Sequence, residues 1–285
     1  MEVYVSTSAI KNPFQLKEVL EKYNELGIKN VELGSSHSYV DDIEGIIEAF
    51  NNNYIIHNYF PPLKDPIALN IASLNKDIRE CSINLAKRAI DLCVKFKAPI
   101  YSMHAGMLAD PSEIKFFEGF TFSEESNIES IYDLVVENLI SSCKEINLYA
   151  KKNGIKFAVE TSGGHPKKFD FLLMTKIKEF KHLISEVNDD NFGILLDVGH
   201  YNLSENLYKG ESLEKFISEF KNHIFQIHLH HNDGSDDQHF PPTLKELKCL
   251  SKLNKNTIIV LESMNNSADS ILEQYSNIKN YLLKE

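Results

Sequence analysis

The chain has 285 residues, 42% of them apolar, which suffices for a sizeable core and is close to the length of one α/β barrel or of two smaller domains. A formal net charge of −11 and a pI near 5.5 favour solubility and argue against a broad non-specific grip on nucleic acid, which needs clustered Lys and Arg. Four cysteines, Cys81, Cys93, Cys143 and Cys249, form no CxxC pair and are expected as small buried side chains in a reducing compartment.

The opening residues MEVYVSTSAIKNPF carry neither a basic leader nor an apolar h-region, and no apolar run approaches membrane-spanning length, so a cytoplasmic protein is expected. From there strands and helices alternate. Glu2 to Ser6 has strand character, and Leu16, Val19, Leu20, Tyr23 and Leu26 recur at helical spacing before Gly27. Asn30 to Leu33 is a second strand, Val40 to Phe50 a helix, and Tyr54 to His57 a third strand closed by Pro61 and Pro62. Ser73 to Phe96 has one apolar helical face through Ile78, Cys81, Leu85, Ala89 and Leu92, and Ala98 to His104 is the fourth strand.

The irregular segment Ala105 to Asn127, with Phe116, Phe117, Phe120 and Phe122, is long for a connection inside a compact domain. It reads as a lid over a site, with an aromatic plug at the barrel end as the alternative. A helix from Ile128 to Lys152 follows, then a strand at Lys156 to Glu160, a helix at Phe171 to Val187, and a strand at Phe192 to Asp197. Leu213 to His223 is helical, Ile224 to His230 a strand, Thr243 to Leu253 a helix, Thr257 to Leu261 the eighth strand, and Ile271 to Leu282 the last helix. No linker divides these units, and the apolar strands alternate weakly, as in a parallel sheet buried on both faces. A single-domain (β/α)₈ TIM barrel spanning residues 1–285 is expected, with its site at the C-terminal ends of the strands. A doubly wound sheet would need a glycine-rich phosphate turn after the first strand, and STSAIKNP is not one.

Candidate ligands stand where a barrel needs them. His57, His104, Glu160 and Asp197 end the third to sixth strands, His228 lies near the end of the seventh, and Glu262 directly follows the eighth. His200 lies three residues past Asp197, and Asp237 and His239 follow the seventh strand within FQIHLHHNDGSDDQHF. Barrel strand ends converge on the axis, where these carboxylates repel unless cations hold them. Imidazole and carboxylate suit zinc, manganese or iron, and the lack of cysteine favours a catalytic site with exchangeable water over a closed structural one.

The segments IIHNYFPP, LNIASLNKDIRECSINLAKRAI, YSMHAG, FAVET, LLDVGH, HLHHNDGSDDQH and VLES, in this order from Tyr54 to Glu262, resemble the xylose isomerase-like TIM-barrel superfamily, which includes endonuclease IV and many sugar isomerases and epimerases. The endonuclease IV pattern implies a first metal on His57, His104 and Glu160, a second on Glu160, Asp197, His228 and Glu262, and a third on His200, Asp237 and His239. The sugar epimerases imply one metal on Glu160, Asp197, His228 and Glu262, with Glu160 and Glu262 as the catalytic proton carriers and His200 binding substrate. His230 and His231 stand where the family more often has Asn or a second acid, and drop to positions behind the ligands or beside the substrate. STSAIKNP and HFPPTLKEL depart from the DNA-inserting loops of endonuclease IV.

Two enzymatic functions follow, with a non-catalytic ligand-binding barrel as a third. The first is an isomerase or epimerase of a sugar or sugar phosphate, using one to three zinc or manganese ions and enediol proton transfer. His165, Lys167 and Lys168 after the fifth strand could hold a phosphate, or be a solvated basic turn. The second is a multinuclear zinc phosphoester hydrolase of the endonuclease IV type, which alone gives a reason to keep His57, His104, Asp237 and His239. The sugar enzyme is ranked first, with nucleic acid and membrane not expected as partners.

Overall fold

The computed structural model describes residues 1–285 except 14, 116–118, 123–127 and 285. Eight short strands, β1 (Val3–Ser6), β2 (Asn30–Leu33), β3 (Asn53–His57), β4 (Ile100–His104), β5 (Lys156–Glu160), β6 (Phe192–Asp197), β7 (Ile224–Leu229) and β8 (Ile258–Leu261), pair in parallel, each with the next in sequence. β8 pairs with β1 and closes the single-domain barrel. Outside it lie α1 (Leu16–Glu25), α2 (Ile43–Glu48), α3 (Lys76–Phe96), α4 (Ile128–Lys152), α5 (Ile177–Val187), α6 (Val198–Leu207), α7 (Leu213–Phe220), α8 (Leu244–Leu247) and α9 (Ala268–Leu282). Among the described residues, no helix is long and apolar enough to cross a membrane.

Successive strand residues point to opposite faces of the sheet, so each strand feeds two cores. The outward set, including Val5, Val31, Ile56, Tyr101, Phe157, Ile194, Ile227 and Leu261, packs under the helices in the large apolar cluster. The inward set forms a separate plug of Tyr4, Ile55, Ile100, Ala158, Leu195 and Val260. This alternation positions the site. Two residues beyond Ile55, Ala158, Leu195 and Val260 on the same face come His57, Glu160, Asp197 and Glu262, and four beyond Ile100 comes His104. The apolar plug thus seals the barrel immediately below a polar layer at the strand ends.

Four features differ from expectation. Val198–Leu207 is a helix that the sequence did not announce, because Gly199, Asn202, Ser204 and Asn206 are weak helix formers. It is started by the Asp197 side chain, which accepts the His200 N–H at 2.8 Å. The expected helix Phe171 to Val187 begins only at Ile177, after a 3₁₀ turn at Pro166–Phe171, and Thr243 to Leu253 resolves into α8 followed by 3₁₀ turn Lys248–Lys252. Cys81, near the start of α3, is exposed rather than buried, although Leu85, Ala89 and Leu92 of the same expected face are buried together with Ser82, Ala86 and Cys93 beside them.

In the segment Ala105 to Asn127, Phe116 and Phe117 lie outside the described residues. The rest includes an antiparallel hairpin of Glu113–Lys115 and Gly119–Thr121, and Phe122 stacks on Phe171 at 4.4 Å between ring centroids. Leu108 N–H also bonds Phe171 O at 2.8 Å, so the connection after β4 is tied to the one after β5.

Behind the mouth, His37 is buried after β2 with both ring nitrogens engaged. Nδ1 donates to Pro13 O at 2.6 Å, and Nε2 lies 2.7 Å from Thr7 Oγ1, which in turn accepts the Gly34 N–H. Nε2 therefore accepts from the hydroxyl, and the ring is neutral. Burial, opposed by the Pro13 carbonyl, pushes its pKa down to about 4. A depressed histidine stabilises the fold above its unfolded pKa near 6.5 and loses that contribution as pH falls toward 4, by on the order of 3 kcal/mol. Urea melts from pH 7 to pH 4.5 should therefore show a less steep loss of stability in His37→Gln than in the parent; equal slopes contradict the assignment.

Candidate metal centre

At the mouth, neighbouring strands bring the chosen side chains level. His104 stands opposite Glu160 in the β4–β5 register, and Asp197 opposite His228 in the β6–β7 register. Glu160, Asp197, His228 and Glu262 are buried, and each offers a donor atom within 4.8 Å of the others. This is the central group. His228 Nδ1 lies 2.7 Å from Glu262 Oε2, 3.6 Å from Glu160 Oε1 and 3.8 Å from Asp197 Oδ2.

Among the described residues three further groups adjoin it, one of them made by Glu32, His57 and His228. His57 Nε2 and His104 Nδ1 approach Glu160 Oε2 at 3.3 and 3.1 Å. On the other side, His200 Nε2 and His239 Nε2 each lie 3.2 Å from Asp237 Oδ2. The remaining nitrogens of that pair are fixed from behind, with His200 Nδ1 on Thr161 O at 2.8 Å and His239 Nδ1 on Glu262 O at 2.9 Å. Nδ1–H donation to carbonyls turns each Nε2 toward Asp237, so that a cation displacing the Nε2 proton would meet the arrangement of a metal-ligating histidine. The nine expected ligand positions thus lie in adjoining groups: Glu160 belongs both to the central group and to that of His57 and His104, and His200 Nδ1, of the outer group, lies 3.4 Å from it.

Burial works to raise the carboxyl pKa of Glu160, Asp197, Asp237 and Glu262, yet the facing histidines win and hold all four below the ordinary range. Burial pushes His57 well below its usual value, whereas Asp197 and Asp237 overcome burial to raise His200. For His239 the Asp237 charge likewise outweighs burial and carries the pKa up to about 9. The mouth is therefore a set of ionised carboxylates among imidazoles.

Whether such a set fits a cation can be judged from its unsatisfied atoms. Both Glu160 oxygens, Asp237 Oδ1 and the Nδ1 atoms of His228 and His230 are buried without a hydrogen-bond partner. Orphaned buried acceptors each cost about 1–3 kcal/mol. The Glu160 and His228 atoms belong to the central group, where a divalent cation would satisfy them, and Asp237 belongs to the outer one; the donor sets suit zinc or manganese. The residues present fit the group.

Several residues stand elsewhere than expected. His230 joins the outer group with His200, Asp237 and His239 instead of standing aside. Its Nε2 lies 2.8 Å from Asp197 Oδ1 and 4.0 Å from Asp237 Oδ1, and its ring stacks on His239 at 3.7 Å. Room for it comes from Gly199, where a Cβ would meet His230 Cε1 at 1.9 Å. His231 turns the other way and pairs with Glu246 at 3.0 Å, because alternate residues of an extended chain face opposite sides. Lys168 stands in the 3₁₀ turn Pro166–Phe171, with His165 and Lys167, and is not among the residues the clusters unite. Sequence reasoning missed Glu32, which reaches His228 Nε2 at 2.9 Å, and Gln226, whose amide donates to Glu32 Oε2 at 2.6 Å. The available signals were an acid inside the apolar strand NVEL and the same-face spacing of Gln226 and His228.

Known proteins agree with this geometry at the level of fold. An uncharacterized protein of Methanocaldococcus jannaschii is 25% identical over 295 residues, covering 99% of this chain and all of its own length. Among solved structures, a D-tagatose 3-epimerase-like protein superposes with a TM-score of 0.75 at 20% identity, covering 99% of this chain and 97% of that one. D-psicose 3-epimerase from Clostridium cellulolyticum H10, solved with D-tagatose, gives a TM-score of 0.62 at 14% identity, covering 98% and 92%. The family described as xylose isomerase-like TIM barrel matches residues 20–272, nearly the whole barrel, and the chain belongs to that family.

Proposed function

We propose that this protein is a divalent-metal-dependent isomerase or epimerase of a sugar or sugar phosphate. The observation that carries the reading is the central group: two glutamates from different strands, Glu160 and Glu262, flank Asp197 and His228 in one buried cluster. Glu160, Asp197, His228 and Glu262 would hold a zinc or manganese ion. Such an ion polarises a carbonyl and an adjacent hydroxyl oxygen and so acidifies the neighbouring C–H. The likeness to a D-tagatose 3-epimerase-like protein and to a D-psicose 3-epimerase solved with D-tagatose supports the same substrate class.

The protein's own part is proton transfer. Glu160 and Glu262 are both held as carboxylates, each raised by burial but lowered further by His104 and His57 in one case and by His228 in the other. Either can take a proton from carbon. In the enediol path one glutamate would take the proton from carbon, and the other, after taking up a proton from water, would return it to that carbon; the roles exchange in the reverse direction. His200, buried against Glu160 and Asp237, is placed to bind a substrate oxygen, with His230 beside it. Lys168 is left as a candidate for a substrate phosphate.

A second reading is favoured by one observation. Enediol chemistry does not require the flanking groups, yet His57 and His104 on one side and His200, Asp237 and His239 on the other adjoin the central group, as a phosphoester hydrolase with two or three metals would need.

The two readings separate in solution. Zinc- or manganese-loaded protein in D2O should incorporate deuterium at the carbon next to the carbonyl of a ketohexose or its phosphate. Glu160→Gln and Glu262→Gln should each lower kcat by about 10²-fold or more. Cleavage of an abasic-site duplex with no exchange into any ketose would instead establish the hydrolase. On the hydrolase reading, elemental analysis should find more than one metal per chain, with Asp237→Ala/His239→Ala losing one ion and keeping its far-ultraviolet circular dichroism; a single ion per chain would support the isomerase. Retention of the parent's metal count in that variant would remove the outer group from the ligand set.

A further inference from the structure

Below the central group, a buried carboxylate has no place in the chemistry just described. Glu32 projects from β2, which lies between β1 and β3, yet its partner His228 belongs to β7, between β6 and β8, so the contact crosses the barrel interior. Glu32 is fully buried, and its Oε2 meets the His228 Nε2 at 2.9 Å and accepts the Gln226 amide N–H at 2.6 Å. Its other oxygen has no partner. A buried carboxylate with one oxygen unpartnered costs several kcal/mol unless its neighbours compensate it, and here those neighbours are His228 and Gln226, with His57 in the same group.

We propose that Glu32 is a positioning residue for the metal centre: it holds the proton of His228 on Nε2, so that the Nδ1 lone pair is presented to the central group. The proposal rests on the reading of that group as a metal site. An imidazole has two nitrogens, and which of them ligates is set by the hydrogen bond the other makes. Here the two faces differ. Nε2 looks down to Glu32 and Gln226, while Nδ1 looks up at Glu262, Glu160 and Asp197. Although Nδ1 is 2.7 Å from Glu262 Oε2, it lacks hydrogen-bond geometry, which suits a lone pair and a carboxylate sharing one cation. Gln226, two residues before His228 on the same strand face, holds the Glu32 carboxylate in line. A carboxylate behind the ring also makes the imidazole a stronger donor, which tightens metal binding.

The test uses the full chain and zinc. Dissociation constants would be measured by competition with a chromophoric chelator for the parent, Glu32→Gln and Glu32→Ala, beside metal-free thermal melts. Glu32→Ala should weaken zinc at the tightest site about 10–100-fold, and Glu32→Gln, which keeps a carbonyl acceptor for the ring N–H, by less. In the zinc-loaded parent, ¹⁵N-resolved imidazole spectra should show His228 ligated through Nδ1 with a downfield, slowly exchanging Nε2–H that moves upfield in Glu32→Gln. A residue that merely filled space would leave that proton and the zinc affinity of folded Glu32→Gln unchanged, and that result overturns the proposal even if Glu32→Ala fails to fold. A parent chain that binds no zinc would instead overturn the metal reading beneath it, so the two failures are distinct.

Discussion

Carboxylates that leave water need compensation, and at this barrel mouth Glu160, Asp197, Asp237 and Glu262 are compensated by imidazoles. Removing one partner from a buried ion pair typically costs about 3–5 kcal/mol, because it strands a charge in a poorly polarisable site. Every feature of the mouth follows from that demand. The apolar plug below keeps water from rising through the barrel, the helix start at Asp197 adds a main-chain donor to one acid, and main-chain carbonyls behind His200 and His239 turn the ring nitrogens toward Asp237. Both oxygens of Glu160, the residue common to the central group and the group of His57 and His104, are left without a hydrogen-bond partner.

The shared position of Glu160 also explains why one fold can support either of two reactions. The central group is common to both, whereas the flanking groups distinguish them. Their separation is only one side chain wide, since His200 approaches both Glu160 and Asp237. Occupation of the outer group would commit His200 to a metal, and an empty outer group would leave it for substrate. The choice of function is thus a choice of what His200 Nε2 binds.

Much of this was legible in the sequence, for a reason rooted in barrel geometry. Once the strands were placed, their last residues were fixed in space, and HIS or acid at the ends of IIH, YSMH, KFAVE and FGILLD could be assigned without knowing any distance. Three things were not legible. Glu32 lies at mid-strand, and its partner is 196 positions away across the barrel, a separation that no local pattern encodes. His230 owes its place to the missing side chain at Gly199, a steric fact of packing. Helix α6 draws its start from Asp197, so a residue read only as a ligand also serves as a cap, and the weak helix formers after it concealed the element. Cys81 shows the complementary limit: periodicity found the helix and buried Leu85, Ala89 and Leu92 on its inner face, but not that the face is open to solvent at Cys81.

The central claim is that one cation sits among Glu160, Asp197, His228 and Glu262. The most direct measurement is an anomalous difference map from crystals grown with Mn²⁺ or Zn²⁺, collected on both sides of the metal absorption edge. The account predicts its strongest peak among those four side chains, with His228 ligating through Nδ1. A map with no peak there, or with density only at His200, Asp237 and His239, would contradict it.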